Sequence, residues 1–180
     1  AICFLKCDIS ILAFCLMDNH VHFILYGTAE ECELFRDKFI HKYSIWYSKR
    51  YSGKMLERMD FDIRLMEDDK YILNSIAYAL RNGIAAGYCY CTEVYPWSSG
   101  GLYFRMPERI MEMTSGWKQI SDITIRDKRR MFQTKADIPA GWKITPEGFI
   151  WPGNYIDFKM VEKLYRTPKS FTFFMGQSKE

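Results

Sequence analysis

Two apolar runs set around a three-residue turn segment constrain this chain most. Ile9 to Leu16 is almost continuously apolar, Met17-Asp18-Asn19 supplies turn chemistry, and His20-Val21-His22-Phe23-Ile24-Leu25-Tyr26 resumes the apolar pattern. The three pieces together read as a β-hairpin. Residues two apart on a strand point to the same face, so the imidazoles of His20 and His22 converge on one side of it. There they can share a metal ion or a phosphate. A buried strand that merely carries two histidines accounts for the spacing equally well, because His-x-His needs a third ligand from elsewhere.

Gly27 ends the hairpin, and Thr28 with Glu31 three residues later has the form of a capping box. Apolar residues then recur at Phe35, Phe39, Tyr43, Trp46 and Tyr47, so one long amphipathic helix is predicted up to Ser52-Gly53. A short strand is expected over Phe61 to Met66. Asp68-Asp69 next opens a second helix, with acidic side chains in the first turn where the helix dipole favours them. At 100° per residue this helix sorts into two faces. Leu73, Ile76, Ala77, Leu80 and Ile84 form a core stripe; Tyr71, Asn74, Ser75, Tyr78 and Asn82 form a polar face, and Gly87 is the expected stop. Beyond residue 105, proline and glycine recur, with helices expected over Ser121 to Phe132 and Asn154 to Tyr165.

The chain has 180 residues, 48% of them hydrophobic and 17% aromatic, which excludes a disordered tail and suits a domain with a substantial core. The net charge of +3 is too mild to declare a nucleic-acid binder, so a basic surface has to come from clustering. His41, Lys42, Lys49, Arg50 and Lys54 form one candidate cluster and Arg126, Lys128, Arg129 and Arg130 another; such a cluster is more often just a solvated helix face. His41, beside Lys42, reads as a surface or DNA-contacting residue rather than a ligand. The six cysteines contain no Cys-x-x-Cys pair and fall in apolar stretches, the pattern of a reduced, cytoplasmic protein. No run has the length of a membrane span and no signal peptide is read at the start.

Three stretches carry a resemblance. Cys15-Leu16-Met17-Asp18-Asn19-His20-Val21-His22 is similar to a Met-Pro-Asn-His-x-His box. Tyr78-Ala79-Leu80-Arg81-Asn82-Gly83-Ile84-Ala85-Ala86-Gly87 is similar to Tyr-Ile-x-x-Asn-Pro-x-x-Ala-Gly, and Tyr95-Pro96-Trp97-Ser98-Ser99 follows as Tyr-x-Trp-Ser-Ser. In this order they resemble the single-tyrosine HUH transposases of bacterial insertion sequences, in the REP-associated tyrosine transposase branch. Asp18 and Gly83 depart from that pattern, each standing where the family has proline. The family's sheet also begins with a further strand and helix, for which only Ala1 to Cys7 stand ahead of the hairpin.

The resemblance implies an α+β fold, an antiparallel sheet with helices packed on it (the ferredoxin-like or RRM-like HUH fold), plus a small C-terminal extension. Residues 1–105 would form the catalytic domain and 106–180 an extension with a DNA-binding role. It further implies cleavage and rejoining of single-stranded or hairpin DNA through a 5′-phosphotyrosine on Tyr78, with a divalent metal held by His20, His22 and Asn82. Tyr78 and Asn82 are four apart and so share a helical face, which fits that assignment. Two nitrogen donors and one oxygen favour manganese over calcium, with magnesium the abundant alternative. Tyr71 is the rival nucleophile, but Ser75 rather than Asn lies four residues beyond it. Lys42, Lys49, Arg50, Arg81, Arg126, Arg129 and Arg130 are the candidate phosphate contacts. The family contains dimers with shared sites as well as monomers, so a homodimer is one of two arrangements. A location in the bacterial cytoplasm, on the nucleoid when bound to DNA, follows from the same likeness. A relative that binds DNA hairpins without cutting, and a metal-dependent hydrolase in which Tyr78 is incidental, remain as other readings.

Overall fold

A computed structural model describes residues 1–51 and 61–176. Among them the architecture is α+β, a two-stranded antiparallel sheet with six α-helices. The hairpin forms as expected: β1 (Ser10–Leu16) pairs with β2 (Val21–Tyr26), from Ser10 opposite Tyr26 to Leu16 opposite Val21, with an irregularity between Ile11 and Ala13. Every residue of β1 from Ile11 to Cys15 is buried, which explains its unbroken apolar texture.

The second edge of β1 has no strand beside it, yet its backbone groups are satisfied. Leu16 N donates to Trp97 O at 2.8 Å, Ser99 N donates to Phe14 O at 3.1 Å, and Asp157 N donates to Ile11 O at 2.9 Å. Two connecting segments therefore do what neighbouring strands do in a wider sheet, closing an edge that would otherwise expose unpaired backbone.

Helix α1 (Ala29–Arg50) starts where Thr28 predicts it, with the Thr28 hydroxyl accepting from Glu31 N. Only half of the capping box forms, because the Glu31 carboxylate accepts instead from Asp8 N at 2.8 Å and ties the helix start to the segment before β1. The amphipathic expectation holds for the first half alone. Phe35 is buried, but Tyr43, Ile45 and Trp46 are exposed, and the rings cover one another in a ladder from Phe23 through Phe35, Phe39 and Tyr43 to Tyr47 and Tyr51. A two-stranded sheet is too narrow to cover a 22-residue helix.

The expected strand over Phe61 to Met66 does not form. The segment is irregular, Phe61, Ile63 and Leu65 are exposed, and Arg64 folds back onto Asp62 at 2.6 Å. With β1 closed on both sides it has no place there as a third strand, and Met66 is the residue that packs against the core. Helix α2 (Asp69–Ala85) is capped by Asp68, whose side chain accepts from Tyr71 N, and the chain turns away at Gly87 with φ +75°.

The remaining helices are α3 (Pro107–Met113), α4 (Ile125–Phe132), α5 (Phe158–Tyr165) and α6 (Pro168–Gly176). The helix predicted over 121–132 begins only at Ile125, where Thr124 caps it by accepting from Asp127 N. The one predicted from Asn154 begins only at Phe158. Asn154 is held in a turn by two bonds to the Lys143 backbone, and Asp157 is the cap, accepting from Met160 N. One core runs across residue 105: Ile11, Leu12, Ile76, Leu80, Val161, Tyr165 and Phe171 are buried together. Tyr165 Oη donates to Leu73 O at 2.6 Å, joining α5 to α2. A second, smaller cluster gathers Ile120, Ile138 and Ile144. Among the described residues no helix is long and apolar enough to cross a membrane.

Candidate active site

Helix α2 lies on the hairpin through the buried stripe Ile76, Ala77, Ala79, Leu80 and Gly83. The stripe is rotated from the expected one toward Ala79 and Gly83, and Gly83 lies under the Tyr95 ring, where a Cβ would come within 2.9 Å of it. The opposite rotation leaves Tyr78 45% exposed at the rim of the contact. There its ring meets that of His22 edge to face, with centroids 5.3 Å apart. His22 lies on β2 opposite Cys15, and His20 immediately precedes the strand with its ring 4.8 Å from that of His22, nearly perpendicular. The three side chains singled out as nucleophile and histidine pair thus form one contiguous group across two elements.

Asn19 completes the turn. Its Oδ1 accepts from His20 Nδ1 at 2.6 Å, which places the proton of the neutral ring on Nδ1 and the lone pair on Nε2. Asn82, half-buried one turn beyond Tyr78, donates from Nδ2 to Tyr78 O at 2.7 Å and more weakly to Ala79 O. Its amide nitrogen is therefore committed to the helix, and the amide oxygen is the atom able to ligate a cation. Two imidazoles and an amide oxygen are donors that a divalent ion of the manganese or magnesium kind accepts. Among the described residues no group of three or more His, Cys, Asp or Glu side chains is placed to hold a metal. The set in question contains only two such residues, with the amide as third. Tyr71, the rival phenol, lies at the start of α2 beside Arg64, whose charge sits next to it.

Two further tyrosines reach the same turn: Tyr88, which sequence reasoning passed over, and Tyr95, which opens the third motif. Tyr88, just past Gly87, donates from Oη to Asp18 Oδ2 at 2.5 Å, and this bond pushes its phenol above the ordinary range. Tyr95 donates from Oη to Leu16 O at 2.7 Å. An aromatic residue directly after a helix-stopping glycine was the available signal for Tyr88.

The Tyr95 to Ser99 segment closes the free edge of β1. Ser99 is fully buried; its Oγ accepts from Phe14 N at 3.0 Å and lies 2.7 Å from Tyr103 Oη, which donates to Leu12 O. Trp97 stays half exposed with its ring against Phe149.

The basic candidates fall on three helices. Lys42, Lys49 and Arg50 are exposed on α1, Arg81 is half-buried on α2, and Arg126, Arg129 and Arg130 are exposed on α4; Lys54 lies outside the described residues. All six cysteines are unbridged. Compared with family models, curated proteins and solved structures, the chain matches none.

Proposed function

We propose that this chain is a transposase-like HUH endonuclease and strand transferase acting on single-stranded or hairpin DNA, with Tyr78 as nucleophile. The observation that carries this reading is the edge-to-face contact of Tyr78 with His22, itself beside His20. A phenol on a helix and an imidazole pair on a strand come together although more than fifty residues separate them. Tyr78 is preferred to Tyr71 because its ring lies against His22.

In the proposed reaction the Tyr78 oxygen attacks a phosphodiester phosphorus. The P–O3′ bond breaks as the P–Oη bond forms, the phenolic proton departs, and the 3′-oxygen takes up a proton. The 5′-phosphotyrosine keeps the energy of the original ester, so a different 3′-hydroxyl can reverse the step and join a new strand. His20, His22 and Asn82 would hold a divalent cation, magnesium or manganese, which when bound supplies Lewis-acid polarisation of the phosphate. Asn19 holds His20 in the tautomer that presents Nε2. Tyr78 is 45% exposed, at a surface that an incoming strand would reach. Lys42, Lys49 and Arg50 on α1, with Arg81 nearer the site, would take phosphates while Trp46 and Tyr51 offer rings on which splayed bases stack. Work on DNA by a protein with six unbridged thiols fits the reducing bacterial cytoplasm and nucleoid.

The test is incubation of the full chain with a labelled hairpin oligonucleotide and manganese, beside Tyr78→Phe. A covalent protein–DNA adduct in the parent alone is expected. Tight binding without an adduct would instead indicate a hairpin-binding relative that does not cut, and cleavage surviving Tyr78→Phe would indicate a hydrolase.

A further inference from the structure

The hairpin turn and the end of α2 are joined by more than the histidine contact. Tyr88 and Tyr95 stack on each other, centroids 6.0 Å apart at 27°, and each phenol ends on the β1–β2 turn region: Tyr88 on the Asp18 carboxylate, Tyr95 on the Leu16 carbonyl. At their other end both are pressed on α2. Tyr88 N donates to Gly83 O, and a Cβ at Gly83 would lie 2.9 Å from two Tyr95 ring carbons and 3.3 Å from Cys89 Sγ. Any side chain at 83 would push the Tyr95 ring away from the helix, at the residue directly after Asn82. Proline at 18 would offer no side-chain acceptor to Tyr88. The two positions at which the motifs depart from proline thus meet the same pair of rings, one at each end.

We propose that Tyr88 and Tyr95, seated on Asp18 and Gly83, form a clamp that sets the spacing between the histidine turn and helix α2. They are positioning residues for the pairing of Tyr78 and Asn82 with His20 and His22. The geometric effect stands on the contacts above; its meaning for metal binding and catalysis rests on the function proposed for the site. One phenolic bond to a side chain and one to a main-chain carbonyl restrain the turn at two points, Asp18 and Leu16, on the approach to His20. Loss of either lets the turn pivot about the other. The stacked ring pair makes the two restraints cooperative.

The test reads the clamp without relying on activity. In the full chain without metal, the His22 ring protons carry a ring-current displacement from Tyr78, and Tyr78→Ala gives the undisplaced reference. Tyr88→Phe, which keeps the stack and removes only the hydroxyl, is expected to move the His22 signals most of the way to that reference. Asp18→Ala should do the same, while Asp18→Asn, which retains an acceptor oxygen, should restore the parent positions. The same variants are titrated with manganese alone, where loss of the clamp should weaken binding about 10-fold or more. His22 signals unchanged in Tyr88→Phe, or moved in that variant but not in Asp18→Ala, overturn the clamp. Signals that move as expected while no variant, nor the parent, takes up manganese support the clamp and sink the metal reading instead.

Discussion

The Nδ1 of His20 lies 2.6 Å from Oδ1 of the residue just before it, Asn19, so one short side chain fixes both the tautomer and the orientation of an exposed ring. Asn19→Ala removes that acceptor and leaves both histidines in place. Nitrogen chemical shifts of the His20 ring should change from a single Nδ1-protonated tautomer to a mixture. With the metal role proposed above, manganese affinity should drop about 10-fold, the lower end for lost outer-shell partners. A His20 tautomer unaltered by the substitution would show that the turn, and not Asn19, orients the ring.

Ser99→Ala should cost more stability than its size suggests. A phenol has one proton, and that of Tyr103 goes to Leu12 O, so the Ser99 hydroxyl donates to Tyr103 Oη while accepting from Phe14 N. Alanine leaves a buried amide and a buried phenol oxygen each short of a partner, a loss of about 1–3 kcal/mol. Chemical denaturation should show a lower midpoint with an unchanged slope, since the surface exposed on unfolding is nearly the same. Ser98→Ala removes a bond to Tyr95 O and takes the acceptor from the buried Gly100 N, so a loss of the same order is expected there.

Which parts of this were legible beforehand follows from how local the physics is. The hairpin, the Thr28 cap, the Asp68 cap and the stop at Gly87 depend on residues within a few positions of one another, and each forms where the sequence places it. The α2 face carrying Tyr78 was legible from periodicity because one side of that helix is buried. The strand expected over 61–66 was not, since a strand forms only where a segment is brought alongside a sheet edge; the free edge of β1 is taken by residues 97–99 and 157, and segment 61–66 pairs with neither strand. That closure is a long-range event that the spacing of apolar residues does not encode. The exposed half of α1 failed for the same reason: its stripe is real, but it has no sheet beneath it. At the site, spacing singled out the pair His20 and His22, and the resemblance pointed to Tyr78 and Asn82, while Tyr88 and the partner of Asp18 needed the turn after α2 to be placed in space.

Alkaline pH should unfold the protein through its buried phenols. Burial pushes the phenols of Tyr103 and Tyr165 well above the ordinary value of 10. A raised folded-state value means that the native state holds the proton more tightly than the unfolded chain. The associated stability is therefore complete below pH 10 and is lost as pH rises beyond it, where unfolding releases those protons. Phenolate absorbance should show a delayed rise from the buried phenols that coincides with the loss of helical circular dichroism. A titration in which all twelve tyrosines ionise together near pH 10 with the fold intact would contradict this assignment.

The DNA path proposed along α1 predicts a specific salt signature. Lys42, Lys49 and Arg50 are exposed on the half of the helix whose aromatic rings Trp46 and Tyr51 also face solvent, so phosphate contacts and stacking surfaces alternate along one element. Each cation that meets a phosphate releases a counterion, so Lys49→Ala or Arg50→Ala should weaken hairpin binding and flatten the plot of log affinity against log salt by about 1 per charge removed. Trp46→Ala should weaken binding by about 1–3 kcal/mol with the slope unchanged, because stacking releases no counterion. The α4 arginines lie on a different helix, outside the proposed path. Arg129→Ala combined with Lys49→Ala should therefore add no more to the slope change than Lys49→Ala alone for a short single-stranded substrate held on α1. If the α4 variant alone flattens the plot, DNA runs over α4 rather than along the ring ladder.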